Sequence, residues 1–112
     1  MSAFPVLKFA SDATNVTLAG TPASASHAIP NKADGNPTHY LYIATSGDIY
    51  FLPATDEGGT PTTLDGATTV SSTTGVRIRD RQSLVLDVGG SSHILTIGIA
   101  GSESVSLAPV EW

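Results

Sequence analysis

His27, His39 and His93 are the three imidazoles of the chain. None has the i, i+2 or i, i+4 partner that metal-ligating pairs show, so they read as ordinary surface or strand histidines. Serine is abundant, yet no G-x-S-x-G occurs, and spacing ties no histidine to both a serine and an acid, as an activated nucleophile requires. Asp34-Gly35-Asn36 has the residue types of a calcium loop without its D-x-[DN]-x-[DN]-G frame. It reads as a turn, as does Asp56-Glu57 beside Gly58-Gly59. Gly58-Gly59 and Gly89-Gly90 have no strand-to-helix context, so they read as hairpin turns and not as phosphate cradles. The absence of cysteine removes thiolate chemistry, disulfides and cysteine zinc sites together. The expectation is a protein with no catalytic residue, no metal and no cofactor.

Two constellations stand out instead. Arg77, Arg79 and Arg81 in GVRIRDRQ are three of the five basic residues of a chain whose net charge is −5. On an extended strand alternate side chains share a face at roughly 7 Å spacing, which makes a basic stripe turned away from Val76 and Ile78. The plain reading is a solvated face paired with Asp80, Asp87 or another carboxylate. The functional reading is docking on an acidic protein surface, where arginine pairs bidentately with carboxylates.

The second is HYLYIATSGDIYFLP, residues 39 to 53, which holds Tyr40, Tyr42 and Tyr50, all the tyrosines of the chain. It reads as two strands of a hairpin around a Thr45-Ser46-Gly47-Asp48 turn. Neither face of that hairpin is polar. The aliphatic side (Leu41, Ile43, Ile49, Phe51) suits a core, and the tyrosine side, with large apolar area and polar tips, suits a subunit contact.

The elements that would position these residues are strands. Thr (14), Ser (13), Gly (11) and Pro (7) disfavour long helices. VRIRD (76 to 80), SLVLDV (83 to 88), HILTIGIA (93 to 100) and SVSLAPV (104 to 110) follow one another at about ten-residue spacing, the rhythm of a sandwich or small barrel. FPVLKF (4 to 9) reads as an edge strand or arm because Pro5 lacks a ladder donor, and TNVTLA (14 to 19) as a weak strand. Segment 20 to 37 reads as a long loop, and 53 to 75 as turn-rich, with Leu64 and Val70 as anchors and a short strand near 67 to 71. The fold expected is all-β: one antiparallel β-sandwich or small barrel spanning 1 to 112, with an extended arm over 1 to 13 and long loops.

Charged residues make up only 13% of the chain, well below the roughly 25% usual for soluble domains, so part of the surface is expected to be covered by a partner. The acidic balance, with a pI near 4.8, argues against nucleic acid. No apolar run approaches the roughly 18 residues of a membrane span, and MSAFPVLKFA does not have the form of a signal peptide.

The order of features from His27 onward resembles a group of small virion proteins of tailed bacteriophages and gene transfer agents. The resemblance rests on AIPN (28 to 31), YLYIATSGDIYF (40 to 51), VRIRD (76 to 80) and an apolar C-terminal strand ending at Trp112. It spans about 28 to 112, and this chain departs from the group at 53 to 75, which is longer and richer in Thr and Gly. The resemblance implies a compact β domain that assembles as a ring on the capsid, as a decoration or cement protein or as the base of a head spike. On that reading the protein is made in the host cytoplasm, is not an enzyme, and resides on the outer capsid surface of the virion. Its partners would be itself, as a trimer or pentamer, the major capsid protein and a head fibre protein. Tyr40, Tyr42 and Tyr50 would form the subunit interface, and Arg77, Arg79, Arg81, Phe4 and Phe9 would face the capsid. The alternative from composition is a carbohydrate-binding or adhesin-like β-sandwich using the tyrosines as an exposed platform.

Overall fold

The structure is a computed structural model that describes residues 7 to 18 and 24 to 111. It is all-β, with ten strands among the described residues: β1 Lys8–Phe9, β2 Thr14–Thr17, β3 Ala25–Ala28, β4 Tyr40–Ser46, β5 Ile49–Glu57, β6 Thr60–Thr62, β7 Val76–Ile78, β8 Ser83–Asp87, β9 His93–Gly98 and β10 Ser104–Glu111. Every strand pairing is antiparallel. In sheet A, β10 is flanked on one side by β1 and β2 and on the other by β4, with β8 beyond. In sheet B, β9 lies between β3 and β5, and the far side of β5 pairs with β7 along its first half and β6 along its last.

The two sheets close on an inner core of Leu41 and Ile43 from β4, Ile49 and Phe51 from β5, and Ile78, Ile94, Val105 and Leu107, with Leu18 and Val88 at its ends. Side chains of this size contribute roughly 1.5–3 kcal/mol each on full burial, so this cluster dominates the stability of the fold.

The expected hairpin of 39 to 53 is not one. β4 pairs with β10 and β8 while β5 pairs with β9, β7 and β6, so the two strands lie in different layers. The Gly47 turn is an arch that carries the chain across the core. That is why neither face of the segment is polar: the aliphatic residues of both strands meet inside, and the tyrosines go to opposite outer faces.

The remaining departures from the sequence reading are local. Segment 20 to 37 contains β3, whose His27 and Ala25 register against Ile94 and Thr96. β5 runs on to Glu57 and turns at Gly58-Gly59 into β6, a true hairpin, whereas 67 to 71 is not a strand. Gly89-Gly90 joins β8 to β9 across the two sheets and so is not a hairpin turn. Val70 is buried, but Leu64 is fully exposed and anchors nothing.

Pro109 and Pro53 both lie in interior strands. Ala10 N–H donates to the Pro109 carbonyl, so residue 109 faces the β1–β2 side. There the neighbouring chain takes four steps, from Ala10 to Thr14, while β10 takes two. Ile99 N–H donates to the Asp48 carbonyl, which by alternation turns Pro53 toward the far side of β5, between the stretches covered by β7 and β6. Each missing proline donor is aimed at a gap in the adjoining strand.

Candidate functional site

Outward-facing residues of sheet A follow from the register. Tyr40 and Tyr42 on β4 stand opposite Val110 and Ala108 on β10 and opposite Asp87 and Val85 on β8, and Phe9 on β1 stands opposite Val110. Phe9, Tyr42, Ala108, Val110 and Val85 therefore form an apolar band from one edge of the sheet to the other. Phe9 is 65% exposed and meets Tyr42 edge-on, with ring centroids 5.6 Å apart. Ala108 and Val110 are buried between the aromatic side chains of the neighbouring strands. The rim is polar: His39 lies edge-on to Tyr40 with its Nε2 3.4 Å from Asp87 Oδ1, and Lys32 bridges Asp34 and Glu111.

The outer face of sheet B is covered by the chain itself. Leu95 and Ala54 form a second small cluster with Val70, flanked by Leu52 and Ile97. Val70 N–H is anchored on Ser24 Oγ. Gly75 lets the loop approach closely, since a Cβ there would lie 2.8 Å from Tyr50 Cβ and 2.7 Å from Val70. Tyr50 is thus on the covered side of the molecule. The three tyrosines do not share a patch: Tyr40 and Tyr42 join Phe9 on sheet A, and Tyr50 lies on the opposite face.

The arginine stripe does not form either, because β7 ends at Ile78 and the chain turns at once. Arg79 and Arg81 belong to that turn, closed by Gln82 N–H on the Arg79 carbonyl, with Arg81 in the left-handed region at φ 62°. Val76, expected inside, is half exposed. Arg77 is on the strand, donates to Asp48 Oδ2 at 2.6 Å and lies 6.0 Å from the Tyr50 ring. The Arg77 hydrogen bond, helped by Asp80 N–H, holds the Asp48 carboxyl below its ordinary value. Arg81 lies 4.0 Å from Asp80. Phe4 and Trp112 fall outside the described residues.

Sequence reasoning missed the acids that tie the sheet-crossing turns. Asp48 accepts from Asp80 N–H, and Asp80 accepts from Gly47 N–H, which locks the arch to the β7–β8 turn. Glu103 is buried, and its carboxylate accepts from the N–H groups of Ala100, Gly101 and Ser102 at 2.6 to 2.9 Å. Burial pushes the Glu103 carboxyl up, but the backbone donors outweigh it and hold it below its usual value. A Cβ on Gly98 would lie 2.1 Å from Glu103 Oε1, and one on Gly47 2.3 Å from its Cγ. Ser46-Gly47-Asp48 reads as a plain turn in the sequence, and the role of Glu103 shows only in the approach of the distant Gly47 and Gly98.

Among the described residues no group of three metal-ligating side chains converges, and no helix is long and apolar enough to cross a membrane. The arrangement defines an all-β sandwich with one self-covered outer face and one that the described residues leave bare. A solved structure of similar fold is that of the SPBc2 prophage-derived protein YomS, with a TM-score of 0.51 and 16% identity over 99% of this chain and 100% of that one. By sequence, no protein-family model and no curated protein matches the chain.

Proposed function

We propose that this chain is a non-enzymatic structural protein of a tailed-phage particle, carried on the outer capsid surface as a decoration or cement protein or as the base of a head spike. The observation that carries the proposal is the inequality of the two outer faces. One is covered by the protein's own 63-to-75 loop, and the other presents Phe9, Tyr42 and Val85 to solvent. An exposed aromatic band with a polar rim has the composition of a protein interface. The phage origin is supported by the sequence resemblance and by the prophage derivation of YomS, a protein of similar fold. In this function the sheet A face seats on the major capsid protein, and Arg79 and Arg81 at its rim offer guanidinium groups to acidic capsid residues.

The test is protein identification by mass spectrometry on purified particles of the phage that encodes the chain, alongside particles carrying Tyr42→Ala. The wild-type chain is expected in stoichiometric amount, and the variant, still folded by circular dichroism, depleted by about tenfold, for the loss of an aromatic anchor at the docking face. A particle that lacks the chain altogether overturns the reading.

A further inference from the structure

β8 is an open sheet edge whose one charge, Asp87, sits at its end. Val88 N–H donates to the His39 carbonyl and Thr45 N–H to the Gln82 carbonyl, so the even-numbered residues from 82 to 88 address β4. Alternation then turns the backbone N–H and C=O of Ser83, Val85 and Asp87 outward, and among the described residues no loop segment bonds to them. Ser83–Asp87 contains no proline, lysine or bulge. Of the other edges, β1 is two residues long before the ladder breaks, β6 contains Pro61, β7 is three residues long and carries Arg77, and β2 and β3 are four residues each, shorter than β8. Leu84 and Leu86 pack on the inner core yet stay only partly buried, since among the described residues no strand lies beyond β8.

We infer that β8 pairs with β8 of a second copy, antiparallel about a two-fold axis through Val85, joining two A sheets into one continuous sheet. In this register Ser83 faces the partner's Asp87, and Val85 faces the partner's Val85. Each such pair exchanges both backbone bonds, because the residues that face the edge are the ones brought opposite one another. The charge pattern is self-complementary in this direction alone. Arg81 lies in the turn before the strand and Asp87 ends it, both exposed, so antiparallel pairing brings each Arg81 to the end of the partner strand that carries Asp87. A parallel arrangement would set like charges side by side. The axis is perpendicular to the sheet, so both Phe9–Tyr42–Val85 bands lie on the same side and merge into one face twice as wide. The pairing does not depend on the capsid reading, and its unit is a dimer instead of the trimer or pentamer expected from the sequence. With five residues a side the interface is small, so the dimer dissociates on dilution.

The experiment is light scattering on the full chain from micromolar to millimolar concentration, with backbone amide exchange at both ends of the range. The expected result is a reversible shift from 11.4 kDa toward twice that mass, with slowed exchange at the Ser83, Val85 and Asp87 amides. Val85→Pro removes an N–H that faces the edge and not β4, so it is expected to abolish the dimer without lowering the melting temperature. Should that variant unfold, Val85→Lys serves in its place, setting like charges across the axis. Arg81→Asp is expected to weaken the dimer about tenfold and the double variant Arg81→Asp/Asp87→Arg to restore it. A monomer at every concentration overturns the inference, as does an oligomer that survives the Val85 substitutions. Either result leaves the particle-composition test of the capsid reading untouched.

Discussion

Alongside Asp48, His27 and Glu103 set how the protein responds to acid. His27 lies at the sandwich edge with its Nε2 2.9 Å from Thr96 Oγ1, and burial holds its imidazole below the ordinary 6.5. A histidine whose folded value is depressed binds its proton less readily in the folded state. The stability it contributes is therefore full above about pH 6.5 and is lost as the pH falls through and below that value. Glu103, held below 4.5, contributes stability above about that pH, lost as the pH falls through its folded value. Urea midpoints are thus expected to drop as the pH falls below about 6.5, where His27→Asn flattens the dependence, and to drop again in the Glu103 range. Glu103→Gln, which sets an amide NH2 against a backbone donor in a dry site, is expected to cost about 1–3 kcal/mol near neutral pH by the same measurement.

At the scale of the strand, residue parity decides what a substitution does. Pro109 presents no donor to β4, so Pro109→Ala is expected to lose only about 0.4–1 kcal/mol, through a more flexible unfolded chain. One residue earlier the outcome reverses. Position 108 addresses Tyr42 across the β10–β4 ladder, so Ala108→Pro forfeits a buried backbone bond, an expected loss of about 1–3 kcal/mol on denaturation. Strands β8, β9 and β10 were legible in the sequence because their apolar residues alternate between turn residues. Which strands pair was not, since a Ser-Gly-Asp turn serves a hairpin and an arch alike, and the difference lies in β10 arriving beside β4 from sixty residues away. β3 was hidden for a related reason: ASHA has no large apolar residue, and its pairing with β9 alone makes it a strand. The arginine stripe failed because a period-two pattern says nothing of where a strand ends. The tyrosines were read correctly as facing away from the core, but the arch divides them between two surfaces.

Over the whole molecule, the two outer faces are finished differently. On sheet B the loop from 63 to 75 acts as a third layer whose keystone is Val70, 2% exposed, while Leu64 in the same loop is 99% exposed. Val70→Ala is expected to cost about 1–3 kcal/mol, whereas Leu64→Ser is expected to stay within about 0.5 kcal/mol of wild type; thermal denaturation separates the two. Among the described residues sheet A has no such layer, and its aromatic band is the surface on which the proposed docking depends.

The arch at Gly47 also shapes how the chain reaches this state. Among the strands described, β5 and β6 alone pair with a neighbour in sequence across a tight turn; the rest wait for distant segments. β10, the last of the ten, is the strand on which β1, β2 and β4 all assemble. An N-terminal fragment that stops before Ser104 keeps only the β4–β8 pair of sheet A, and without β10 the inner core lacks Val105 and Leu107. Folding is then a late, all-or-none search dominated by loop closure, on the millisecond-to-second scale of non-local β proteins. Until it completes, the chain holds its exposed β8 edge and aromatic strands open to whatever other copies surround it.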